Sequence, residues 1–512
     1  MYLVTAEEMR RIEERIMEET GLPGTVLMEN AGRSVADEIT KRFPKPQKAV
    51  ILAGKGNNGG DGWVIARYLL YRNWDVACWL VGNPDQLTPD AKVFYRVLQS
   101  FTPIQTYHSG KLDALKSDLS QAGVIVDALL GTGVNGSLRP PVKEVVEQIN
   151  ASGKWVVSVD MPTGLHTDGA SIDSEKVKAD LTVTFQYPKW GHFSRQGNAL
   201  SGELVIKEIG LPPELKPELK PKGRLNDPVW WKNSWSPRDP WSHKGSHGHL
   251  LLIGGSKGML GAICMTGEAA YRMGAGYVTL TVPESERHAL AAKVTQPLIW
   301  PWPGEGTFHP DSAAGLREKA GQISAMAIGP GLGRFEGEDK WLRDVLSSMQ
   351  GPLVLDADAL NILAAYPDLL EDLRQREVPA IITPHPGEMA RLTSLSVKEV
   401  EAGRVDVARS YAKRTGMIVV LKGRFTLIAH PDGTVILNPT GSPALAKAGS
   451  GDVLTGMIGS LLAQKVSPFE AAAMAVYLHG KASGLSGTHP HSMVYTDLLD
   501  GIQRAVRQEF VE

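Results

Sequence analysis

The first 210 residues alternate between strand-like and helix-like segments, and this pattern restricts the fold more than any other feature of the chain. Apolar runs typical of strands are separated by stretches typical of helices, such as residues 62–72 and 141–151. Because parallel strands need long crossover connections, the alternation predicts a mostly parallel, doubly wound sheet. The predicted strands are residues 49–53, 76–81, 124–128, 155–159, 181–184 and 204–207.

A second α/β series begins near residue 248, and it shares no repeat with the first. Its first strand leads into residues 254–262, and further strands are predicted at 277–282, 325–328, 353–356, 380–382, 418–422 and 425–429. Between the two series, residues 211–244 are first rich in proline and lysine and then rich in tryptophan. We therefore predict a domain at 1–210, a semi-rigid linker at 211–244 and a second domain at 245–512.

The composition fits an ordinary globular protein that lives in a reducing compartment. The chain is 42% hydrophobic and 21% charged, and its net charge of −2 gives no general attraction to nucleic acid. Its two cysteines, Cys78 and Cys264, are far apart, which excludes a disulfide framework. No apolar run reaches the ~18 residues of a membrane span. We expect a cytoplasmic protein without nucleic-acid or membrane partners.

The first predicted strand runs into a glycine-rich loop, Gly54–Gly62, that satisfies G-x-G-x-x-G at positions 54, 56 and 59. A dinucleotide-binding fingerprint also needs an acidic residue at the end of the second strand. Asp75 lies at the start of that strand, so this test fails. Asn57, Asn58 and Asp61 are more specific, because a simple turn does not need two amides and a carboxylate together.

Two later strand ends also carry polar groups. One strand ends at Asp127, and the next is followed by Asp160, Met161, Pro162 and Thr163. Carboxylate, amide and hydroxyl oxygens that converge at such an edge suit a hard cation. The alternative is that each aspartate caps a helix, which is less plausible for all three loops than for one.

These motifs resemble the epimerase domain of NAD(P)H-hydrate repair proteins over about residues 1–210: MENAG at 28–32, GKGNNGGDG at 54–62, DALLGTG at 127–133 and DMPTG at 160–164. The resemblance implies a Rossmann-like, three-layer α/β/α domain that interconverts the R and S hydrates, with Asp160 as the acid/base. It implies potassium bound by Asn58, Asp127 and Thr163. It implies substrate contacts from Asp160 and from two loops, which comprise Asn57, Asn58, Gly59, Gly60, Asp61, Gly131, Thr132, Gly133, Val134, Asn135, Gly136 and Ser137.

In the second domain, Gly449-Ser450-Gly451-Asp452 opens an apolar helix. Such a turn presents free backbone N–H groups and the positive end of a helix dipole, which favours a phosphate. An aspartate there can also accept a proton from a hydroxyl that receives phosphate. The alternative is a tight turn with an aspartate cap. No Gly-Lys pair is followed by Ser or Thr, so a Walker A loop is absent from the sequence.

Two further loops of this domain carry chemistry-bearing side chains. Asp356 lies at a predicted strand end, where it could bind magnesium directly or through water. His385 lies between two prolines and close to Glu388, and this rigid placement makes it a binding candidate.

Over about residues 245–505 the chain resembles the ADP/ATP-dependent NAD(P)H-hydrate dehydratase family of the ribokinase-like fold. GGSKGMLGA, GPGLG, DADALN, TPHPGE, LKGR and GSGD occur in this order. The resemblance implies Asp452 as the catalytic base, magnesium and ADP as cofactors, and a reaction in which the phosphorylated hydrate loses phosphate to give NAD(P)H. Implied substrate contacts are Ala262, Gly331, His385 and Asp452, and implied nucleotide contacts are Lys422, Gly423, Arg424, Phe425, Thr426 and Gly451.

The combined reading is a bifunctional repair enzyme for hydrated NADH and NADPH, which we expect to be a homo-oligomer. The alternative is a ribokinase-fold small-molecule kinase with an N-terminal binding module, since fold alone does not decide function. A scaffold for RNA or protein would need a strong basic patch and a degraded Asp160 site, and the sequence has neither.

Overall fold

The structure is a computed structural model that describes residues 1–133 and 136–511. The chain divides into two compact units, one of residues Tyr2–Lys222 and one that starts at Gly223 and includes Met1. The boundary falls inside the segment predicted as a linker, because residues 223–225 form a strand of the second unit's sheet. Among the described residues, no helix has the length and apolar character needed to cross a membrane.

The N-terminal unit is built on a seven-stranded sheet in which every pairing is parallel. The sheet consists of β2 (Lys48–Ala53), β3 (Asp75–Leu80), β4 (Ile104–Thr106), β5 (Val124–Ala128), β6 (Trp155–Val159), β7 (Leu181–Phe185) and β8 (Glu203–Lys207). The two-residue strand β1 (Tyr2–Leu3) precedes them along the chain and is not part of this sheet. Its helices are α1 (Ala6–Thr20), α2 (Gly24–Arg42), α3 (Asn57–Tyr71), α4 (Pro89–Gln99), α5 (Leu112–Gln121), α6 (Val142–Ala151) and α7 (Arg195–Leu200). The sheet order is β4-β3-β2-β5-β6-β7-β8.

Alternate residues of the central strands enter two separate cores, so helices cover both faces of this sheet. On β2, Ala49 and Ile51 pack with residues of α1, α2 and α3. Val50 and Leu52 pack instead with residues of α5 and α6. A strand that is buried on both faces explains the continuous apolar runs in the sequence, and the layers are α/β/α.

The C-terminal unit is also an α/β unit, with helices packed on a largely parallel sheet. Its strands are β9 (Gly223–Leu225), β10 (His249–Ile253), β11 (Tyr277–Thr281), β12 (Leu298–Ile299), β13 (Ala325–Ile328), β14 (Leu353–Leu355), β15 (Ile381–Ile382), β16 (Ile418–Leu421), β17 (Leu427–Ala429) and β18 (Val435–Leu437). Their order is β9-β18-β17-β16-β15-β14-β13-β10-β11-β12, and β17 is antiparallel to both of its neighbours.

The helices of this unit are α8 (Pro228–Trp231), α9 (Leu260–Arg272), α10 (Arg287–Ala291), α11 (Leu316–Lys319), α12 (Glu338–Ser348), α13 (Asp358–Ala365), α14 (Leu369–Arg374), α15 (Pro386–Thr393), α16 (Val397–Ala402), α17 (Arg404–Thr415), α18 (Ser450–Ala463), α19 (Pro468–Leu485) and α20 (Tyr495–Phe510). One core joins α9, α18, α19 and α20 to β10 and β13. Both free cysteines are buried.

In both units the order in which successive strands are added to the sheet reverses at a point between two central strands. The reversal lies between β2 and β5 in the first unit and between β10 and β13 in the second. Open α/β sheets bind ligands at such points, beyond the carboxyl ends of the strands. The glycine-rich loops that follow β2, β10 and β13 are therefore at the positions where a ligand is expected.

Candidate active sites

The N-terminal site is formed at the carboxyl ends of β2, β5 and β6, which are neighbours in the sheet. Asn57, Asn58 and Asp61 lie in the first turns of α3, directly after the loop that follows β2. Asp127 is the fourth residue of β5, and Asp160 directly follows β6. The three loops therefore lie at one edge of the sheet, as the sequence predicts.

Asp127 is fully buried and receives hydrogen bonds on both carboxylate oxygens. Oδ1 accepts from the Thr163 hydroxyl at 2.6 Å, while Oδ2 accepts from the Ser158 hydroxyl at 2.8 Å and the Thr163 N–H at 2.9 Å. Thr163 also links to the next loop, because its hydroxyl oxygen accepts from the Leu130 N–H at 3.0 Å. Burial raises the pKa of Asp127, and the bonds from Thr163 oppose this shift.

Asn58 is a buried amide without a partner. Neither its Oδ1 nor its Nδ2 makes a hydrogen bond within the described part of the chain. A methyl group at Gly131 would lie 3.1 Å from this Oδ1, so the amide faces the loop that follows β5. Because an unsatisfied buried polar group is costly, the free oxygen indicates a place for a ligand.

The loop after β5 contains several predicted substrate contacts, and few hydrogen bonds connect its described residues to the rest of the unit. Thr132 accepts a hydrogen bond on its carbonyl from the Thr167 hydroxyl at 3.1 Å. The Ser137 hydroxyl donates to the Asp173 carbonyl at 3.4 Å. Gly133 and Gly136 have open space at the Cβ position. Val134 and Asn135 lie outside the described residues.

Asp160 has a left-handed backbone, with φ of 63°, which a non-glycine residue adopts only when its surroundings enforce it. Its Oδ1 accepts from the Thr184 hydroxyl at 2.8 Å and from the ammonium group of Lys189. Burial alone would raise the pKa of Asp160, but the charge and hydrogen bond of Lys189 outweigh burial and lower it. Asp160 is thus an ionised carboxylate in an otherwise buried site.

Two further acids lie near Asp160 and are held closer to neutrality. Burial, followed by the charge of Asp160, raises the pKa of Asp61 well above its ordinary value. Burial also raises the pKa of Glu13, on α1, to about 7. Carboxyl groups whose environments separate their pKa values are typical of acid/base sites.

The C-terminal site has a buried ion pair at its centre. Asp356 directly follows β14 and is only 2% exposed. Lys422 Nζ donates to its Oδ1 at 2.9 Å, and the Thr455 hydroxyl donates to its Oδ2 at 2.7 Å. Burial would raise the pKa of Asp356, but Lys422 and Thr455 lower it. Both oxygens of Asp356 thus accept a hydrogen bond, and magnesium binding at this residue, directly or through water, stays a prediction.

Lys422 also reaches the N-terminus of α18. Its Nζ lies 3.3 Å from the point that a Cβ atom on Gly451 would occupy. Gly449, which precedes α18, has φ of 91°, a conformation that favours glycine. A lysine ammonium and the N–H groups of a 14-residue helix thus face the same space, which favours an anion such as phosphate.

Asp452 lies on the first turn of α18 and is half-buried. Burial, together with the charge of Asp356, raises its pKa to about 6, although Lys422 partly opposes the shift. No residue of the described chain donates a hydrogen bond to its carboxylate in the structure. An unpaired carboxylate with this pKa suits a general base near neutral pH.

The predicted substrate contacts Ala262 and Gly331 lie together where the sheet reverses. A Cβ atom on Gly331, whose φ is 61°, would lie 3.3 Å from the Cβ of Ala262 and 2.6 Å from the Met259 carbonyl oxygen. His385 caps α15, since its Nδ1 accepts from the N–H groups of Gly387 and Glu388 at 3.0 and 3.3 Å. Its side chain is about half exposed, and its Nε2 lies 3.4 Å from Glu388 Oε1.

The predicted nucleotide loop runs from Lys422 to Thr426 between β16 and β17. Gly423 has φ of 146°, and the Thr426 hydroxyl donates to its carbonyl at 3.1 Å. Arg424 Nη1 donates to the Gly441 carbonyl at 3.1 Å, and its guanidinium group lies 4.6 Å from the centre of the Phe425 ring. These contacts hold the loop in one conformation beside Lys422.

Several functional neighbours could not be chosen from the sequence. Lys189 and His192 follow β7, and both make hydrogen bonds to Asp160. Thr455 makes a hydrogen bond to Asp356, and His479 makes one to Ser450. The only available signal was a lysine and a histidine in YPKWGH, next to a long apolar strand. Within the described residues, no group of three or more His, Cys, Asp and Glu side chains could hold a metal ion.

Comparisons with known proteins agree with the predicted family. A family model described as NAD(P)H-hydrate dehydratase matches residues 250–504, and one described as YjeF-related protein N-terminus matches residues 24–191. A solved structure of an ADP/ATP-dependent NAD(P)H-hydrate dehydratase from Bacillus subtilis is 33% identical and covers 56% of this chain and 98% of its own, with a TM-score of 0.48.

Relatives of similar length match almost the whole chain. The bifunctional NAD(P)H-hydrate repair enzyme Nnr of Moorella thermoacetica is 37% identical over 99% of this chain and 97% of the relative. The protein of the same name from Escherichia coli is 35% identical over 99% of this chain and 94% of the relative. The predicted α/β fold class of both units is confirmed by their largely parallel sheets and by the two matching family models. This chain belongs to the bifunctional NAD(P)H-hydrate repair enzyme family.

Proposed function

We propose that the chain repairs hydrated NADH and NADPH with two activities. The N-terminal site interconverts the R and S hydrates, and the C-terminal site dehydrates the S hydrate at the expense of ADP, giving NAD(P)H, AMP and phosphate. The observation that carries this proposal is the match of bifunctional repair enzymes to 99% of the chain. The two carboxylates that the chemistry needs, Asp160 and Asp452, are both present at these sites.

At the N-terminal site, Asp160 serves as the acid/base. Its ionised carboxylate can accept the proton of the hydrate hydroxyl as the C–N bond breaks, the carbonyl forms and the electron pair moves onto the ring nitrogen. It can return the proton to the oxygen when the nitrogen closes onto the other face of the carbonyl, which gives the other epimer. The loops Asn57–Asp61 and Gly131–Ser137 would hold the substrate beside it, since both follow strands at the same edge of the sheet. The open Cβ positions at Gly133 and Gly136 leave room for the substrate.

Potassium fits the oxygen atoms at this edge. The carboxamide oxygen of Asn58 has no protein partner within the described chain, and Asp127 and Thr163 supply a carboxylate and a hydroxyl. Hard cations prefer such oxygen ligands. Asn58, Asp127 and Thr163 would therefore hold the ion, which would supply fixed positive charge near the substrate.

At the C-terminal site, Asp452 takes the proton from the hydrate hydroxyl. The hydroxyl oxygen forms a bond to the phosphoryl group of ADP, and AMP leaves. Lys422 and the N–H groups at the start of α18 stabilise the negative charge that moves onto phosphate. The C–O bond then breaks and phosphate leaves with the bonding electron pair, while the ring nitrogen supplies electrons to the carbon it leaves. Loss of a proton from the neighbouring ring carbon to phosphate or water then forms the double bond of NAD(P)H. Hydroxide is a poor leaving group and phosphate a good one, so phosphorylation makes the elimination possible.

The nucleotide would lie along Lys422–Thr426 and Gly451, because this loop and the α18 N-terminus meet at Lys422 Nζ. Magnesium in phosphate sites is usually held by substrate phosphates and one or two carboxylates. It would be held here by the nucleotide phosphates and, through water, by Asp356, and would neutralise phosphate charge. Ala262, Gly331 and His385 would contact the S hydrate.

Separate assays of the two activities test the proposal. Without nucleotide, the purified R hydrate should convert to the S hydrate faster than in a blank without enzyme, as chromatography of the two epimers would show. With ADP and magnesium, the purified S hydrate should yield NADH and AMP in equal amounts. A stable phosphorylated product without NADH would instead favour the small-molecule kinase.

Cellular context and assembly follow from the same proposal. The two buried, unbridged cysteines are compatible with the cytoplasm, where these cofactors are used. The net charge of −2 supports neither nucleic acid nor an anionic membrane as a partner. Light scattering of the purified chain would test the expected homo-oligomer.

A further inference from the structure

Lys189 is a buried lysine that the proposed chemistry does not yet use. It lies in the segment after β7, and its side chain is only 1% exposed. Its position is fixed by the backbone, which forms a parallel bridge with Val4 and donates an N–H bond to His192 Nδ1 at 3.1 Å. A fully buried lysine is rare unless its charge is paired, so we expect a carboxylate partner for Lys189.

The Lys189 ammonium group satisfies all three of its N–H donors. One goes to Asp160 Oδ1, one to the Thr184 hydroxyl at 3.0 Å and one to the Phe185 carbonyl at 3.3 Å. The Thr184 hydroxyl in turn donates a hydrogen bond to the same Asp160 oxygen at 2.8 Å. A fully bonded ammonium group is held in one orientation and is itself poorly placed to donate a proton to a substrate.

The same segment also fixes the Asp160 backbone. His192 Nδ1 accepts the Lys189 N–H, so its Nε2 carries the proton and donates to the Asp160 carbonyl oxygen at 3.0 Å. Burial, followed by the charge of Lys189, lowers the pKa of His192 to about 4, which keeps the ring neutral. This bond accounts for how the left-handed backbone at Asp160 is maintained.

The two carboxylate oxygens of Asp160 consequently differ. Oδ1 accepts from Lys189, Thr184 and the Phe185 N–H, the last at 3.4 Å. Within residues 1–133 and 136–511, nothing donates to Oδ2. About 12% of the Asp160 side chain is exposed, and Oδ2 is the oxygen that has no protein donor and is left for a substrate.

We propose that Lys189 is a positioning residue for epimerisation: it preserves the negative charge of Asp160 and turns the carboxylate so that Oδ2 faces the substrate. The inference rests on the proposed epimerase activity. Other titratable groups that face Asp160 are His192, which is neutral, and the carboxyl groups of Asp61 and Glu13. Neither acid can stabilise the negative charge of Asp160, so Lys189 is the charged group that does so.

The test is the pH profile of epimerisation in Lys189→Met and Thr184→Val, measured by chromatography of the R and S hydrates without nucleotide. A cation in contact with an aspartate lowers its pKa by about 1–3 units. In Lys189→Met we expect the acid limb of the epimerisation rate to move upward by about 1–3 pH units, so that the loss is largest at the acidic end of the profile and is largely recovered at pH 7 and above. Thr184→Val should move the limb in the same direction by a smaller amount.

Lys48→Met is the matched control, because Lys48 Nζ pairs with Asp118 at 2.8 Å at the opposite end of β2. It should leave the profile unchanged. A loss in Lys189→Met that is equal at every pH would overturn the inference, and so would an unmoved limb in Thr184→Val if Lys189→Met fails to fold. A wild-type chain that does not epimerise would instead contradict the proposed function.

Discussion

Replacing Asp452 by asparagine should abolish dehydration without loosening the fold. Asparagine keeps the shape of the side chain but cannot accept the proton of the hydrate hydroxyl. Removal of a general base typically lowers the rate by about 10²- to 10⁴-fold, which is about 3–5 kcal/mol of transition-state stabilisation. Nucleotide binding should persist, because Lys422 and the N–H groups of α18 remain in place.

The pH dependence of the wild-type rate gives a second measure of the same group. The pKa of Asp452 is raised to about 6, so about 90% of the carboxylate is ionised at pH 7 and half at pH 6. We expect kcat/KM for the S hydrate to fall tenfold per pH unit well below pH 6 and to level off above pH 7. The Asp452→Asn variant should show no such limb.

Stability separates this effect from unfolding. A carboxyl pKa that is higher in the folded state than in the unfolded state destabilises the fold at high pH. This penalty shrinks as the pH falls below the folded pKa and is gone below the unfolded pKa. A shift from 3.8 to about 6 corresponds to at most about 3 kcal/mol at pH 7. The asparagine variant should therefore melt at or above the wild-type temperature.

The assay is the absorbance of the reduced nicotinamide ring, followed with purified S hydrate, ADP and magnesium between pH 5 and pH 9. Asp432→Asn is a suitable control, because Asp432 lies in an exposed turn where it accepts the Thr434 N–H at 2.7 Å. The base assignment would be refuted by an Asp452→Asn rate within tenfold of wild type, or by a wild-type profile that is flat across pH 6.

Three further changes probe the remaining contacts. Asp160→Asn should stop R/S exchange, because an amide cannot accept the proton, yet leave dehydration of purified S hydrate unchanged; parallel loss of both rates would contradict the separate sites. Asn58→Leu should not lower the melting temperature in sodium buffer, because its amide has no partner among the described residues, and it should remove any stabilisation by potassium; a retained potassium effect would exclude Asn58 as a ligand. Lys422→Met should cost about 3–5 kcal/mol in urea unfolding, because Asp356, 2% exposed, loses its counter-charge, whereas a loss below about 1 kcal/mol would argue against the buried pair.

The strands that carry the sites were predictable because they are buried on both faces. Residues 124–128, 155–159 and 325–328 are mostly apolar, and they match β5, β6 and β13. Strands β1, β4, β9, β12 and β18, each of only two or three residues, were not predicted from the sequence. Their place depends on neighbouring strands rather than on local sequence.

Some of the site residues, like some of the strands, could be predicted from the sequence, and others could not. Asp127, Asp160 and Asp356 could be chosen because each follows an apolar run that ends in a loop. Their partners could not be chosen, since Lys422 is 66 residues from Asp356 and Lys189 is 29 residues from Asp160. A lysine in a loop normally indicates solvent exposure. Only the folded chain shows that both ammonium groups are held against buried carboxylates.

The most direct test of the two-site account is the regain of reduced-nicotinamide absorbance from a mixture of R and S NADH hydrate, with potassium, magnesium and ADP. The wild-type chain should consume the whole mixture, whereas Asp160→Asn should stop at the S fraction within the time that the wild type needs to finish. Wild-type regain that also stops at the S fraction would contradict an active N-terminal site, and no regain at all would contradict the account as a whole.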